Sequence, residues 1–386
     1  MSFDSNSTGL IEYFEGRKLE ILEFLRWLVG QESMSGSAEA ITSLAEEFSS
    51  RLSELGASIE LLNDPRAGAS LIARFGSSGP ERSGKQLLVL GHIDTVWPLG
   101  TTAVRPFRIE DGRAYGPGTF DMKAGLAIAF FAMKAIVALG RTTARPVTFL
   151  FNADEETGSE SSRALIEQEA RKTEATLVLE PPIPGGKLKT GRKGVGIFEL
   201  IARGRSAHAG NDPSRGVNAI TEIAHQILAI NELASPSLGT TLSVGVIKGG
   251  VLSNVVPAES RALIDLRYSI PEEGERIAGA FSRLTPRIPG ASLEVKGGVN
   301  RQPLVRTPEI ANLFAHASRL AAELGFEIGE GSVGGASDGN LVAALGVPVL
   351  DGLGVDGLGA HAEHEHIIID DIPRRAALLM RLLETV

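Results

Sequence analysis

Residues 86–96 read Gln86-Leu-Leu-Val-Leu-Gly-His-Ile-Asp-Thr-Val96. The stretch begins as an unbroken apolar run, which is typical of a strand buried on both faces of a parallel sheet. His92 and Asp94 follow as the run ends, and they share a face because strand side chains alternate. Polar groups at the carboxyl end of a buried strand lie where open α/β sheets bind ligands. The stretch therefore predicts an α/β fold with a functional site at this strand end, where Asp94 can orient the His92 imidazole.

A second acid lies on a glycine-rich turn, Tyr115-Gly-Pro-Gly-Thr-Phe-Asp-Met-Lys-Ala-Gly125, which leads into an apolar helix predicted over Leu126 to Ala138. Asp121 in this turn has three interpretations. It could cap the helix. The turn could bind a nucleotide, although Gly116 and Gly118 lack the third glycine that such loops need. Asp121 could instead bind a metal ion, and the remaining acids and histidines favour that interpretation.

The composition of the 386-residue chain is that of an ordinary soluble protein, with 43% hydrophobic and 22% charged residues. Its length favours two domains. A formal net charge of -9 without a long basic run predicts no nucleic-acid or membrane partner. There is no cysteine, so any metal site must use histidine and carboxylate ligands. The start of the chain lacks the pattern of a signal peptide, which predicts a cytoplasmic location.

Two further apolar strands end in acids. Pro146 to Asn152 leads into Glu155 and Glu156, and Ala175 to Leu179 ends at Glu180. Since such strands alternate with predicted helices, we expect a mostly parallel sheet with one shared carboxyl edge. Each acid also has a simpler interpretation, because Glu155 and Glu156 could be a solvated pair near a helix start and Glu180 could simply end its strand.

The pattern changes between residues 191 and 303, where a strand, a helix, two strands, a helix and a strand follow one another. Such a β-α-β-β-α-β unit forms a four-stranded antiparallel sheet with both helices on one face. We predict that residues 191–303 form an inserted, ferredoxin-like α+β domain and that residues 1–190 and 304–386 form the α/β domain. In the latter, apolar spacing predicts one helix over Leu10 to Val29, and polar residues predict a loop over Gly76 to Lys85.

The acids and histidines at predicted strand ends and on glycine-rich loops form one set: His92, Asp94, Asp121, Glu155, Glu156, Glu180 and His361. Imidazoles and carboxylates without a thiolate suit zinc or a similar divalent ion. One metal ion would leave acids over, whereas two ions that share a bridging carboxylate would use them. The alternative for His361 is a surface cluster with His364 and His366. The agreement of several separate elements favours the metal site.

Four motifs resemble those of the two-zinc exopeptidase and aminoacylase family: Gly91-His-Ile-Asp-Thr-Val96, Gly116-Pro-Gly-Thr-Phe-Asp-Met-Lys-Ala-Gly125, Asn152-Ala-Asp-Glu-Glu-Thr-Gly158 and Gly204-Arg-Ser-Ala-His-Ala-Gly210. The likeness covers nearly the whole chain in order and is greatest to the bacterial glutamate carboxypeptidases that hydrolyse folates. It implies a catalytic α/β domain with an inserted lid domain that forms a homodimer. It also implies a cis peptide bond between Asp121 and Met122.

The resemblance assigns the metal ligands. Asp121 would bridge two zinc ions in each subunit, and cobalt or manganese would suit the same ligands. His92 and Glu180 would complete one site, and Glu156 and His361 would complete the other.

Catalytic roles are implied for three residues. Glu155 would be the general base, Asp94 would orient His92, and His208 would stabilise the oxyanion. Without the resemblance, His208 is better interpreted as a loop residue in a tight turn.

Substrate recognition is implied for Asn254 and Arg267, which match positions that hold a substrate carboxylate, and more weakly for Arg301. A planar guanidinium suits that task, although Arg267 alone could be a surface charge at a strand end. The segment Thr190-Gly-Arg-Lys-Gly194 departs from the glutamate carboxypeptidase pattern by carrying two basic residues.

The sequence therefore predicts a zinc-dependent carboxypeptidase. It would release a C-terminal amino acid, with glutamate as the expected one, from a peptide or an N-acyl, folate-like conjugate. The substrate would be a small molecule or short peptide with a free carboxylate. An aminoacylase or an N-carbamoyl amino acid amidohydrolase on the same scaffold is the alternative. A non-catalytic metal-binding or peptide-binding protein is disfavoured because Glu155 is present.

Overall fold

The computed structural model describes residues 8–76 and 84–386. Residues 1–7 and most of the predicted loop Gly76 to Lys85 lie outside the described residues. The chain divides into two compact units. The first contains the described part of Met1–Gly191 with Arg306–Ser332 and Ser337–Val386, and the second contains Arg192–Val305 with Val333–Ala336.

The helices and strands are numbered in chain order. The helices are α1 (Thr8–Glu15), α2 (Lys18–Gly30), α3 (Ala38–Glu54), α4 (Thr101–Val104), α5 (Ala124–Ala138), α6 (Arg163–Ala170), α7 (Ala219–Asn231), α8 (Pro271–Ser282), α9 (Pro308–Glu323), α10 (Gly339–Ala343) and α11 (Ile372–Thr385). The strands are β1 (Ser58–Asp64), β2 (Gly68–Phe75), β3 (Gln86–His92), β4 (Arg108–Glu110), β5 (Arg113–Tyr115), β6 (Val147–Asn152), β7 (Thr173–Val178), β8 (Leu188–Arg192), β9 (Gly194–Arg203), β10 (Thr241–Gly249), β11 (Glu259–Tyr268), β12 (Ser292–Arg301), β13 (Glu330–Val333), β14 (Val349–Leu350), β15 (Gly357–Leu358) and β16 (His366–Ile368).

A six-stranded sheet with the order β1-β2-β6-β3-β7-β14 forms the centre of the first unit. Strand β3 pairs in parallel with β6 and β7, and β7 pairs in parallel with β14. Strands β1 and β2 add an antiparallel edge. Strand β6 is buried throughout and β3 from its second residue onward, as their unbroken apolar runs predict. The prediction of a mostly parallel α/β sheet is confirmed.

Helix α5 packs closely against this sheet. It is apolar on all sides and buried over most of its length, as expected for a helix inside the core. A Cβ atom on Gly125 would lie 2.2 Å from the carbonyl oxygen of Leu179, so only glycine allows this approach. The helix that follows Asp121 therefore packs directly on the strand end that leads to Glu180.

The second unit contains one antiparallel sheet with the order β10-β11-β9-β12. Alternate residues of β9 and β11 form a core with apolar residues of α7 and α8, so both helices cover one face. Phe198 of β9 stacks on Phe281 of α8 with ring centroids 4.2 Å apart. The predicted β-α-β-β-α-β order is confirmed. The predicted limits, residues 191 and 303, lie beside the limits of this unit's long segment, Arg192–Val305.

One local prediction was wrong, and one small sheet was not predicted. The helix predicted over Leu10 to Val29 is two helices, α1 and α2, because Gly16 interrupts it and Arg17 has the non-helical φ of -111°. A small sheet with the order β15-β16-β5-β4 was missed, since its strands of two or three residues lie in stretches that resemble loops. Among the described residues, no helix is long and apolar enough to cross a membrane.

A buried ion pair in the first unit yields a stability prediction. The Glu169 carboxylate, 1% exposed, accepts hydrogen bonds from Arg74 at 2.8 and 3.0 Å, from Lys172 at 2.7 Å and from Gln86 at 3.0 Å. Burial acts to raise the pKa of Glu169, but these bonds outweigh it and lower the pKa to about 2. We expect Glu169→Gln to lower the free energy of unfolding at neutral pH by about 2 kcal/mol, because it removes the buried carboxylate that Arg74 and Lys172 bind. The loss is limited because both cationic side chains can still reach water.

The stabilisation by ionised Glu169 is present above its ordinary pKa of 4.5 and is lost as the pH falls towards about 2. The difference between wild type and Glu169→Gln in urea unfolding should therefore shrink below pH 4.5. Glu174→Gln, at an exposed position of β7, is the control and should unfold like wild type. An equal difference at neutral and acidic pH would contradict the prediction.

Candidate metal centre

The register of the parallel strands brings predicted ligands to one edge of the central sheet. In the ladder between β3 and β7, Leu90 pairs with Val178. Two residues further along the sequence, His92 ends β3 and Glu180 lies just beyond the end of β7. In the ladder between β3 and β6, His92 pairs with Asn152, the last residue of β6, and the acidic turn Glu155–Thr157 begins three residues later. Ligands from three strands therefore meet at this edge.

The small antiparallel sheet brings in the other ligands. His366 of β16 pairs with Tyr115 of β5. Because these strands run in opposite directions, the residues just before β16 lie beside the residues just after β5. The pairing therefore places the loop that carries His361 next to the turn that carries Asp121.

The five predicted ligands form two groups that share Asp121, and the ligand atoms of each group lie within 4.8 Å of one another. In the first group, His92 Nε2 lies 3.3 Å from Asp121 Oδ1 and 3.7 Å from Glu180 Oε1. In the second, His361 Nε2 lies 3.4 Å from Asp121 Oδ2 and 3.1 Å from Glu156 Oε2. Each carboxylate oxygen of Asp121 thus faces a different histidine, as bridging of two cations would require.

These donor atoms fit a pair of divalent cations. They are imidazole nitrogens and carboxylate oxygens, which suit zinc, cobalt and manganese. His361 has a backbone φ of 62°, a left-handed conformation that is uncommon outside glycine and is often retained at functional sites. The peptide bond between Asp121 and Met122 is cis, which confirms that prediction.

The charges of the group depend on one another. Burial acts to lower the pKa of His92, but hydrogen bonds with Asp121 and Asp94 outweigh it and raise this pKa well above its ordinary value. Hydrogen bonds with Asp121 and Glu156 raise the pKa of His361 to about 10. Burial acts to raise the pKa of Asp121, yet the hydrogen bonds with both histidines hold it well below its usual range. In the metal-free protein, protons on the imidazoles therefore balance the clustered carboxylates.

This balance predicts that cation binding by the metal-free protein strengthens as the pH rises. A histidine must be neutral to bind a metal ion, so binding displaces the proton of His361 at every pH below its pKa of about 10. We expect the apparent affinity for Zn²⁺ or Co²⁺ to rise about tenfold per pH unit for each proton displaced. Calorimetric titrations in two buffers with different ionisation enthalpies measure the protons released. Binding at neutral pH without proton release would contradict the prediction.

Asp94 connects the two halves of the centre. Its carboxylate is 3.4 Å from His92 Nδ1 and accepts hydrogen bonds from the backbone N–H groups of Glu155 at 3.1 Å and Glu156 at 3.2 Å. The Ser35 hydroxyl donates to the same carboxylate at 2.7 Å. Asp94 is 1% exposed, so these bonds are shielded from water. Asp94 therefore lies against the His92 ring and also fixes the acidic turn.

The acidic turn after β6, Glu155–Thr157, is a short 3-10 helix and does not continue the extended strand. With three residues per turn, successive side chains diverge by about 120° instead of alternating between two faces. Of the described residues, Glu156 belongs to a ligand group and Glu155 to neither.

A buried hydrogen-bond network also stabilises the acidic turn. Asp154 accepts hydrogen bonds from the backbone N–H of Ser161 at 2.7 Å and from the Ser162 hydroxyl at 2.5 Å. Asn152 and Ser159 both donate to Asp338, which is 3% exposed. The end of β6 and the acidic turn are therefore anchored to the segment that begins α10.

His208 and Asn254 lie close together in the second unit. Ala209 N–H donates to the carbonyl oxygen of Asn254 at 2.9 Å. The Nδ1 atom of His208 accepts hydrogen bonds from the N–H groups of Gly210 at 3.1 Å and Asn211 at 3.0 Å. Because Nδ1 accepts, the neutral ring carries its proton on Nε2 and can donate from that atom.

The two predicted arginines have different surroundings in the second unit. Arg267 forms a two-point ion pair with Asp265, at 2.8 and 2.9 Å. Arg301 is 6% exposed, and its carbonyl oxygen accepts a hydrogen bond from Tyr268 at 3.1 Å. The guanidinium of Arg267 is therefore paired with a carboxylate of its own strand, and its role in substrate binding stays a prediction.

Sequence reasoning missed Ser35, Asp338 and Glu365. Glu365 is 2% exposed and accepts hydrogen bonds from the turn that carries Asp121. Burial raises the pKa of Glu365 to about 7, against the opposite effect of these bonds. These residues come from loops without periodicity, and only Glu365, four residues after His361, lies near a predicted site residue in the sequence.

The chain matches known proteins over nearly its whole length. The sequence pattern of Peptidase family M20/M25/M40 matches residues 88–385. Carboxypeptidase G2 from Pseudomonas sp. (strain RS-16) is 31% identical over 368 residues, which cover 94% of this chain and 88% of that protein. Succinyl-diaminopimelate desuccinylase from Dechloromonas aromatica (strain RCB) is 29% identical and covers 86% of this chain and 90% of its own length.

Among solved structures, aminopeptidase PepT from Bacillus cereus has a similar fold, with a TM-score of 0.75. Its sequence is 23% identical, and the match covers 95% of this chain and 98% of that chain. The family match and the carboxypeptidase relative confirm the family expected from the motifs. The chain belongs to Peptidase family M20/M25/M40, whose members here are metal-dependent hydrolases of the peptidase and amidohydrolase type.

Proposed function

We propose that this protein is a two-metal carboxypeptidase that hydrolyses an amide bond and releases a C-terminal amino acid. The observation that supports it is the arrangement of two ligand groups on the two oxygens of Asp121, with Glu155 beside Glu156. A single-metal site would not need a carboxylate facing two histidines. The proposed substrate is a short peptide or an N-acyl conjugate with a free carboxylate.

The proposed cofactor is a pair of Zn²⁺ ions, with Co²⁺ or Mn²⁺ as substitutes. His92, Asp121 and Glu180 would hold one ion, and Asp121, Glu156 and His361 the other. When bound, the ions lower the pKa of a water molecule and polarise the amide carbonyl.

The chain's own groups would carry the proton transfers. The Glu155 carboxylate would take the proton of the attacking water and return it to the nitrogen of the leaving amine. Asp94 would keep Glu155 in place through the backbone bond at 3.1 Å. His208 would donate from Nε2 to the oxygen that becomes negatively charged, because its Nδ1 is occupied as an acceptor.

The proposed carboxylate-binding residues are Asn254, Arg267 and Arg301. Arg267 presents its guanidinium fork to Asp265, and a substrate carboxylate of the same shape could replace that partner. Arg192 and Lys193, the two basic residues in the segment that departs from the glutamate carboxypeptidase pattern, bind backbone carbonyl oxygens. Arg192 donates to Gly335 at 3.3 Å and Lys193 to Gly239 at 2.7 Å. We therefore retain glutamate as the proposed C-terminal residue.

The second candidate is an N-acyl amino acid amidohydrolase. It is favoured by the desuccinylase relative, which matches 86% of this chain at nearly the identity of the carboxypeptidase. Such an enzyme would use the same metal ligands and base but would select the acyl group rather than the released amino acid.

We also propose a homodimer formed through the second unit. Strand β10 is a terminal strand of its sheet, and it exposes Val246 and Ile247. An apolar terminal strand is suited to pairing with a second copy. Light scattering coupled to size exclusion should give twice the 40.7 kDa chain mass, and a monomer at micromolar concentration would contradict the proposal.

The function is tested by measuring amino acid release from a substrate panel, with metal analysis of the same preparation. The panel contains p-aminobenzoyl-glutamate, N-acetyl and N-succinyl amino acids, N-carbamoyl amino acids and dipeptides with varied C-terminal residues. Preference for glutamate with different acyl groups supports the carboxypeptidase. Preference for one acyl group across amino acids supports the amidohydrolase. A protein that binds two ions per chain yet hydrolyses none of these would overturn both.

A further inference from the structure

Glu365 lies where two parts of the candidate centre meet. It follows His361 by four residues and directly precedes β16. Since β16 pairs with β5 through His366 and Tyr115, Glu365 faces the turn that follows β5. Its side chain is buried, and it belongs to neither ligand group of the described residues.

The Glu365 carboxylate accepts four hydrogen bonds. Oε1 accepts from the backbone N–H groups of Phe120 and Asp121, each at 2.9 Å. Oε2 accepts from the N–H of Gly118 at 2.9 Å and from the indole Nε1 of Trp97 at 2.8 Å. Each oxygen thus has two donors, which is close to the full accepting capacity of a carboxylate.

The turn depends on these bonds because its own backbone does not supply the acceptors. Gly118 has a left-handed φ of 71°, and Asp121 has the non-helical φ and ψ of -116° and 95°. Three N–H groups of this irregular segment therefore point towards one side, where the buried carboxylate satisfies them. A buried N–H without an acceptor is energetically unfavourable, so loss of Glu365 would favour a different turn conformation.

The consequence for the centre is geometric. Asp121 must face His92 with one oxygen and His361 with the other. Glu365 holds the backbone of Asp121 directly and belongs to the same short loop as His361. Rotation of the Asp121 backbone would withdraw at least one oxygen from its histidine.

We propose that Glu365 is a positioning residue of the metal centre. Its carboxylate holds the Asp121 turn in the conformation in which both ligand groups form together. This inference rests on the proposed two-metal function. Glu365 acts through backbone N–H groups and through Asp121, and it touches neither substrate nor metal ion in this role.

The test compares Glu365→Gln with wild type in the metal-free full-length protein. In Glu365→Gln an NH₂ group replaces one carboxylate oxygen and faces N–H donors. The two hydrogen bonds of that oxygen are lost, while the size and shape of the side chain are kept. Substitution of a residue that orients metal ligands typically lowers metal affinity by about 10–100-fold. We expect Glu365→Gln to weaken Co²⁺ binding by about 10–100-fold. Titrations at about pH 8 follow both the stoichiometry and the visible absorption of bound Co²⁺.

Two further variants keep the test decisive. Glu363→Gln changes an exposed acid of the same loop, which pairs with Arg105, and should bind Co²⁺ like wild type. Trp97→Phe removes one of the four donors and should weaken binding less than Glu365→Gln, so it provides the answer if Glu365→Gln does not fold.

The outcomes separate this inference from the proposed function. Weaker binding together with an altered Co²⁺ spectrum at saturation supports it, because a purely structural role would lower the melting temperature and leave the spectrum unchanged. Wild-type affinity and spectrum in folded Glu365→Gln, or in Trp97→Phe should the former not fold, would overturn it. Failure of the wild-type protein to bind two ions would instead refute the two-metal function.

Discussion

Replacement of Glu155 by glutamine is expected to lower kcat by about 10³- to 10⁴-fold while the protein stays folded and keeps both metal ions. The carboxylate is the proposed acceptor of the water proton, and a positioned general base typically contributes about 10²- to 10⁴-fold. Glutamine has the same shape, and its backbone N–H keeps the bond to Asp94. Initial rates on the best substrate of the panel, with metal content determined for the same sample, measure the effect.

The matched control is Glu160→Gln, an exposed acid that follows in the same loop. It should have wild-type rate and metal content. A near-normal rate in Glu155→Gln would remove Glu155 from the role of base. A loss of one metal ion together with activity would show that Glu155 is a ligand, and the assignments of Glu155 and Glu156 would then be reversed.

The edge of the central sheet was predictable because burial and polarity change abruptly within single strands. The apolar runs before His92, Glu155 and Glu180 indicate buried parallel strands, and parallel strands place their carboxyl ends together. Strand order was not required for this step. The ladder register, with Leu90 beside Val178, then brings His92 and Glu180 together without any information from the loops.

The partner of the Asp121 turn was not predictable in this way. The loop that contacts this turn is positioned by the pairing of β16 with β5. These strands have three residues each and no periodicity that distinguishes them from loops. The sequence indicated His361 as a candidate ligand next to a glycine-rich loop, but no pattern in the chain indicates that Glu365 would accept four hydrogen bonds. Contacts of this kind depend on two segments more than 240 residues apart, as in the bond between Asp121 N–H and Glu365.

The conformation of the acidic turn was also beyond the sequence pattern. Glu155 and Glu156 follow an extended strand, which favoured an extended continuation. Asp94 instead accepts hydrogen bonds from both of their N–H groups, and these bonds stabilise a 3-10 turn. The tertiary contact therefore overrides the local preference, and the acid predicted to orient His92 also determines where the two glutamates point.

Replacement of Asp121 by asparagine is expected to abolish the paired site and lower kcat by about 10³-fold or more. The asparagine side chain offers one carbonyl oxygen, and its amide group is a donor that cannot bind a cation. His92 and His361 face different oxygens of Asp121, so the amide can serve one ligand group only. The loss of negative charge weakens the remaining group as well. Metal analysis should give about one ion per chain or fewer, whereas Glu155→Gln keeps two.

Asp111→Asn is the matched control, since it makes the same chemical change in the preceding turn between β4 and β5. Asp111 has a backbone φ of 47°, a conformation that asparagine also tolerates, so the variant should fold normally. It should keep wild-type metal content and rate. If Asp121→Asn bound two ions with wild-type affinity, the bridging role would be excluded, because the two ions would then not depend on a shared carboxylate.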